Sequence, residues 1–139
     1  MKRVLIAEDN SADQELMRLS FAAVDPDFEI TCVTDGEELF ERLDEINPFD
    51  LCFVMLDLNM PRMSGIDVLT RLTSEERFRT VPVIVFSSSA QPTDVKQCYS
   101  SGANAYVRKP SNFAGYQQTI TAITEFWGET NVLARPYAA

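Results

Sequence analysis

Four of the five short apolar runs in this 139-residue chain end on, or just before, residues that could do chemistry. The first closes on Glu8-Asp9, the third on Asp57 and the fourth on Ser87, while Lys109 and Pro110 follow just beyond the fifth. Singly, such ends carry little, since acids and hydroxyls are common where strands pass into loops. Jointly they bring three carboxylates, a hydroxyl and an amine to one edge, provided the runs lie side by side. Carboxylates crowded together repel one another unless a proton or a cation relieves them. The chain has no histidine, and Cys32, Cys52 and Cys98 are too scattered for a zinc site. Hard oxygen donors alone favour magnesium, with waters completing its octahedron. Magnesium usually accompanies phosphate chemistry. Lys109 would add a fixed positive charge and Ser87 a hydroxyl donor, so the set could hold a phosphoryl group on Asp57.

The elements that must position these groups can be read from periodicity. The runs at 3–7, 28–33, 51–56, 81–86 and 105–107 are rich in β-branched residues and read as strands. Three are almost continuously apolar, the pattern of strands covered on both faces and hence of a parallel sheet. Segments of helical period separate them. Residues 11–23 open with a Ser11/Gln14 capping box and set Ala12, Leu16, Leu19 and Ala23 on one face. The next helix starts at Asp35, with Glu38 in the same relation, and buries Leu39, Leu43 and Ile46 before Pro48 stops it. Further helices are expected over 66–78 after Gly65, over 92–101 before Gly102, and over 113–127. In the last, Phe113, Tyr116, Ile120, Ile123 and Trp127 form one apolar stripe.

Each gap between strands holds one crossover helix, so the chain predicts an α/β domain over 1–127 built on an open, doubly wound parallel sheet, with an aperiodic tail over 128–139. In such sheets ligands gather at the carboxyl ends of the strands, where the chemistry-bearing residues fall. A hydrophobic share of 45% fills one core, and the chain is too short for two ordinary domains. The net charge of -9 repels phosphate backbones and anionic membranes, which argues against a nucleic-acid or membrane partner. Lys2 and Arg3 precede only four apolar residues, too few for a signal peptide or a span. With no disulfide framework in sight, a cytoplasmic location is expected.

Four motifs, Val-Leu-Ile-Ala-Glu-Asp-Asn (4–10), Leu-Asp-Leu-Asn-Met-Pro-Arg-Met-Ser-Gly (56–65), Pro-Val-Ile-Val-Phe-Ser (82–87) and Gly-Ala-Asn-Ala-Tyr-Val-Arg-Lys-Pro (102–110), occur in order. Together they resemble the receiver domains of bacterial two-component response regulators, over about residues 2–127. The resemblance implies a flavodoxin-like five-stranded sheet of order 2-1-3-4-5 with helices on both faces. It implies a single-domain, chemotaxis-regulator-like response regulator that takes a phosphoryl group on Asp57 from a sensor histidine kinase or phosphotransfer protein. Such a protein is no enzyme beyond its own phosphorylation and dephosphorylation, and it signals to an output protein the sequence does not name.

By the same resemblance, Mg2+ is held directly by Asp9, through water by Glu8, and by Asp57 and the backbone carbonyl of Asn59. Ser87 and Lys109 contact the phosphoryl group, Tyr106 is the aromatic switch, Gly65 is the loop glycine, and the Lys109–Pro110 bond is cis. Side chains at Asn59 and Ser89 border the path of the hydrolytic water. Glu8 and Ser87 stand where aspartate and threonine are more usual, and each keeps the needed functional group. Phe126-Trp127 and the short tail resemble the single-domain regulators that accompany bacterial phytochromes; Phe126 falls off the apolar stripe and is a candidate anchor for a homodimer.

Rival readings lack their own signatures. A haloacid-dehalogenase-like phosphatase needs a second acid at position 59, which is asparagine here. A flavodoxin-type electron carrier needs a hydroxyl- and glycine-rich cradle after the first strand, where this chain has Glu8-Asp9-Asn10. A receiver fold that never takes phosphate would not be expected to keep Glu8, Asp9, Asp57, Ser87 and Lys109 together.

Overall fold

The computed structural model describes residues 2–134. Five strands, β1 (Lys2–Ala7), β2 (Phe28–Val33), β3 (Leu51–Leu56), β4 (Val83–Ser87) and β5 (Ala105–Arg108), pair in parallel as one sheet of order 2-1-3-4-5. Helices α1 (Ser11–Val24), α2 (Gly36–Glu45), α3 (Gly65–Ser74), α4 (Pro92–Ser100) and α5 (Phe113–Glu125) alternate with them. The arrangement is the doubly wound sheet that the strand spacing predicts.

Alternation along the central strands sorts the core into two layers. Val4, Ile6, Phe53, Met55, Ile84 and Phe86 face α1 and α5, meeting Met17, Phe21, Tyr116, Ile120 and Ile123. Leu5, Val54, Leu56, Val83 and Val85 face α2, α3 and α4, meeting Leu39, Leu43, Val68, Leu72 and Cys98. All six residues of β3 are therefore buried, which accounts for its unbroken apolar run. At the opposite end from the acids, Phe21, Phe28 and Phe53 pack with ring centroids 5.7 to 6.5 Å apart.

Several boundaries differ from expectation, each for a local reason. Helix α1 is capped by Asn10, whose side chain accepts from the Asp13 N–H at 3.0 Å, one residue before the Ser11 expected in that role. Gln14 reaches past the cap and donates to the Glu8 carbonyl at 2.5 Å. The buried face of α1 is Met17, Ser20 and Phe21, while Leu19, Ala12 and Ala23 point outward. Ser20 escapes a hydropathy reading because its hydroxyl donates to the Leu16 carbonyl at 2.7 Å, satisfying the group inside the packed face. Strand β4 starts at Val83, beyond Pro82, which has no N–H for the ladder and instead accepts from the Val54 N–H at 2.9 Å. The third helix stops at Ser74 and resumes as a short 3-10 turn over Glu76–Phe78.

The Asp35 cap on α2 is as expected, accepting from the Glu38 N–H at 2.9 Å, and Leu39 and Leu43 are buried. Helix α4 ends where Gly102 takes a φ of 107°, a left-handed conformation that other residues adopt with strain. On α5, Tyr116, Ile120 and Ile123 are buried, whereas Phe113 is exposed. Beyond it, Phe126–Thr130 forms a wider π-type turn, and Trp127 and Leu133 pack on the core. Residues 135–139 of the expected tail lie outside the described residues. No helix among the described residues is long and apolar enough to cross a membrane.

Gly65 joins the fold to the strand ends. Its N–H donates to the Leu58 carbonyl at 3.1 Å, and a Cβ there would lie 2.6 Å from the Leu58 Cα and 3.0 Å from the Asp57 carbonyl oxygen. Both are backbone atoms, so a side-chain shift cannot relieve the contact. Gly65→Ala is expected to destabilise the protein by about 2 kcal/mol through overpacking, read as a lower urea midpoint. An unchanged midpoint would mean that the 58–64 loop moves aside freely.

Candidate functional site

The ends of β1 and β3 are pinned before any side chain is considered. Glu8 extends the ladder by donating its N–H to the Val33 carbonyl at 2.9 Å, and Asp57 does so by donating to the Ala7 carbonyl at 3.0 Å. Adjacent parallel strands thus deliver two carboxylates to one edge, and both are buried: Glu8 is 0% and Asp57 5% exposed. Asp9, the next residue along, is exposed. One carboxylate oxygen from each of Glu8, Asp9 and Asp57 lies within 4.8 Å of the others.

A single cation is set into this group. The Lys109 Nζ lies 2.5 Å from Glu8 Oε1, 3.2 Å from Asp13 Oδ2 and 3.6 Å from Asp57 Oδ2, with the lysine side chain only 10% exposed. Its backbone is fixed by donation from the Lys109 N–H to the Ser87 carbonyl at 2.8 Å. All described peptide bonds are trans, so Lys109–Pro110, expected cis, takes the form that X–Pro bonds favour by about 0.5–1 kcal/mol.

Burial pushes the Glu8 carboxyl up to about 7, the Asp57 charge adding to the effect and the Lys109 ammonium opposing it. For Lys109, burial pulls the other way, but pairing with Glu8, Asp57 and Asp13 outweighs it and leaves the ammonium above its ordinary range. Glu8 Oε1 has its ion pair with Lys109 and no aligned hydrogen bond, although it is wholly enclosed. A buried carboxylate oxygen short of donors, beside two more carboxylates and with no nitrogen or sulfur donor, fits a hard divalent cation.

The remaining sequence-derived residues take up places around this centre. Asn59, exposed in the following loop, donates its N–H to Asp57 Oδ1 at 3.3 Å. The same loop contains Arg62 at a left-handed φ of 70°, with its guanidinium 3.5 Å from Asp35 and 3.4 Å from Glu37. Ser87 ends β4 fully buried, and its Oγ accepts from the Ser89 N–H at 3.3 Å. Tyr106 on β5 is half-buried and donates its hydroxyl to the Ser89 carbonyl at 2.8 Å, reaching the loop that Ser87 opens.

Two residues at this edge escaped the sequence reading. Asp13 sits on the first turn of α1, where an acid is favourable at any helix N-terminus and so attracts no notice. Tyr116 reads as one member of the α5 stripe and is indeed 3% exposed, packed edge-on against Phe86 at 5.7 Å. Its hydroxyl, however, donates to Asp13 Oδ1 at 2.6 Å, and burial with that carboxylate beside it raises the phenol above its ordinary value. The only sequence signal was polar: a tyrosine in a core stripe needs a partner for its hydroxyl.

Comparison with known proteins places this geometry. The model of the response regulator receiver domain family matches residues 4–121. A response regulator in red light signaling of R. palustris is 33% identical, covering 98% of this chain and 100% of its own, with a TM-score of 0.88. The phosphorylated cyanobacterial phytochrome response regulator RcpA is 30% identical, covering 96% and 99%, also at 0.88. Rcp1 of Synechocystis sp., solved in a Mn(2+)-bound form, is 27% identical, covering 97% and 100%, at 0.86. With the match extending over the sheet, the strand-end acids and Lys109, the chain belongs to the response regulator receiver domain family of two-component systems.

Proposed function

We propose that the protein is a phosphorylation-driven switch in which Asp57 accepts a phosphoryl group from a phosphohistidine of a sensor kinase or phosphotransfer protein. The observation that carries the reading is the enclosed Glu8, Asp57 and Lys109 cluster with Asp9 at its open side. A carboxylate oxygen of Asp57 attacks phosphorus, a P–O bond forms, and the P–N bond breaks with its electron pair returning to the imidazole, which is left to take up a proton from solvent. The product is an acyl phosphate.

Magnesium, held by Glu8, Asp9, Asp57 and the Asn59 carbonyl, would supply positive charge against the phosphoryl oxygens. Lys109 already lies 3.6 Å from Asp57 and can pass its ammonium to one of the new oxygens. Ser87 donates to another. Phosphorylation adds roughly 1.5–2 negative charges, and it pulls on the segment that follows Ser87. Because the Ser89 N–H bonds the Ser87 hydroxyl and the Ser89 carbonyl accepts from Tyr106, a shift of Ser87 is felt at Tyr106. The surface formed by α4, β5 and α5 changes with it.

Signalling then requires an output protein that binds the two states with different affinity. The net charge of -9 supports a protein partner over nucleic acid. The neighbours named for phytochrome and red-light signalling support a kinase of the photoreceptor kind. Phe126, 49% exposed and edge-on to Trp127 at 4.9 Å, is the anchor proposed for a homodimer.

Three measurements test this reading. After incubation with magnesium and a small phosphodonor, intact mass is expected to rise by one phosphoryl group in the wild type and not in Asp57→Asn; no adduct, or equal adducts, would remove the claim. Magnesium alone is expected to raise the thermal midpoint of the wild type, by the stabilisation that any ligand of the native state confers. Calorimetry should find that rise largely lost in Asp9→Asn and Asp57→Asn. In gel filtration the wild type is expected to elute as a dimer and Phe126→Ala as a monomer, and identical elution of the two would exclude Phe126 as the anchor.

A further inference from the structure

Three carboxylates share the Lys109 ammonium, and one of them, Asp13, belongs to neither the acid triplet nor the phosphoryl path proposed above. Asp13 Oδ2 lies 3.2 Å from Nζ, nearer than Asp57 Oδ2 at 3.6 Å. Asp13 is itself held at two points: its backbone N–H by the Asn10 cap at 3.0 Å, and its Oδ1 by the Tyr116 hydroxyl at 2.6 Å. The tyrosine is buried between α5 and the sheet, so it offers a rigid donor. A chain of contacts therefore runs from Asp57 through Lys109 and Asp13 to α5.

Resting on the phosphotransfer reading, we propose that Asp13, fixed by Tyr116, is a positioning residue for Lys109. A lysine has four flexible methylenes and three donors, and its ammonium goes where acceptors are strongest. With Asp13 in place, that ammonium is drawn toward α1 and its contact with Asp57 is kept long, which leaves the attacking oxygen free. Without Asp13, the same charge, already 2.5 Å from Glu8 Oε1, closes on Asp57 as well. There it screens the nucleophile and competes with a divalent cation for two of its three carboxylates. When a phosphoryl group arrives and takes the ammonium, Asp13 loses its cation while keeping Tyr116, so α5 registers the event by a route separate from Ser87 and Tyr106.

The sign of the effect separates positioning from simple charge. Removing one negative charge from the site should, by coulombic repulsion alone, speed reaction with an anionic donor such as acetyl phosphate. There, Asp57 oxygen attacks phosphorus and the P–O bond to acetate breaks, releasing acetate with the electron pair. Positioning predicts the opposite. Asp13→Asn is expected to slow phosphorylation about fivefold, and Tyr116→Phe, which alters no charge and keeps the ring on Phe86, about threefold in the same direction. The double variant should be no slower than Asp13→Asn, because the two residues act as one unit. Asp13→Glu should recover part of the rate.

A second readout does not involve phosphorylation. The dissociation constant for Mn2+ alone, followed by electron paramagnetic resonance, is expected to rise about threefold in Tyr116→Phe. A merely structural role would lower the thermal midpoint and leave both the rate and the metal constant unchanged. Wild-type phosphorylation with an unchanged or faster Asp13→Asn, or strictly additive losses in the double variant, overturns the positioning role alone. A wild type that takes neither Mn2+ nor phosphoryl group overturns it together with the phosphotransfer reading.

Discussion

The Lys109 ammonium within a nest of carboxylates is the interaction on which the rest of the structure depends. Glu8 and Asp57 are taken out of water by the strands that carry them, and two buried like charges at adjacent strand ends are strongly unfavourable unless something neutralises them. Lys109 does so in the resting molecule, and the rise of the Glu8 carboxyl to about 7 shows that one ammonium does not fully offset the burial. Breaking such a pair by removing the lysine alone would leave uncompensated charge inside the protein. The site is thus held in a state of incomplete electrostatic satisfaction, and anything that adds positive charge on its open side, or moves the ammonium, finds a ready response.

That state requires a backbone that cannot relax. Parallel strands covered on both faces provide it, since β3 has no exposed residue and is paired with β1 over Arg3–Ala7 and with β4 over Val83–Val85. Close approach of Gly65 to Leu58 then fixes the loop just past Asp57. On the β4 side, the Lys109 N–H to Ser87 carbonyl bond ties the lysine to the same strand end as the buried hydroxyl. Relief cannot come from carboxylates drifting apart, so it must come from a cation on the open side or from a shift of the lysine side chain.

Most of this framework was legible in the sequence, because it follows from patterns that burial imposes. Continuous apolar runs gave the covered strands, and a gap long enough for one helix gave the parallel order. The acids, Ser87 and Lys109 were found by asking what each run ends in. What was not legible depended on hydrogen bonds that disguise polarity or exploit it. Ser20 sits in the packed face of α1 because its hydroxyl is satisfied within its own helix, so hydropathy pointed to Leu19 instead. Asp13 is 96 residues from Lys109 and 103 from Tyr116, and it meets the tyrosine only through the packing of α1 on α5. No local spacing encodes such a meeting. The trans Lys109–Pro110 bond differs from the expectation for the same reason, since isomer choice at that bond is small in energy and set by surroundings.

Which surface element answers a shift of Ser87 can be argued from how firmly each is anchored. Helix α5 buries Tyr116, Ile120, Ile123 and Thr124 and is capped by Asn112, which accepts from the Gly115 N–H at 2.7 Å. Helix α4 buries only Cys98 and has no side-chain cap at Gln91. Its first turn is instead tied to the Ser87 loop: the Ser89 hydroxyl donates to Asp94 Oδ2 at 2.6 Å and accepts from the Gln91 N–H at 3.3 Å. Few buried apolar contacts mean a low cost of displacement, and a direct hydrogen bond means that displacement is transmitted. In the switch proposed above, a pull on Ser87 moves α4 before it moves α5, while α5 is addressed through Tyr116 from the opposite side of the sheet. On the phosphotransfer reading proposed above, the two helices that flank β5 answer a phosphoryl group on Asp57 through separate side chains, Ser87 and its loop for α4, and Lys109 with Asp13 and Tyr116 for α5.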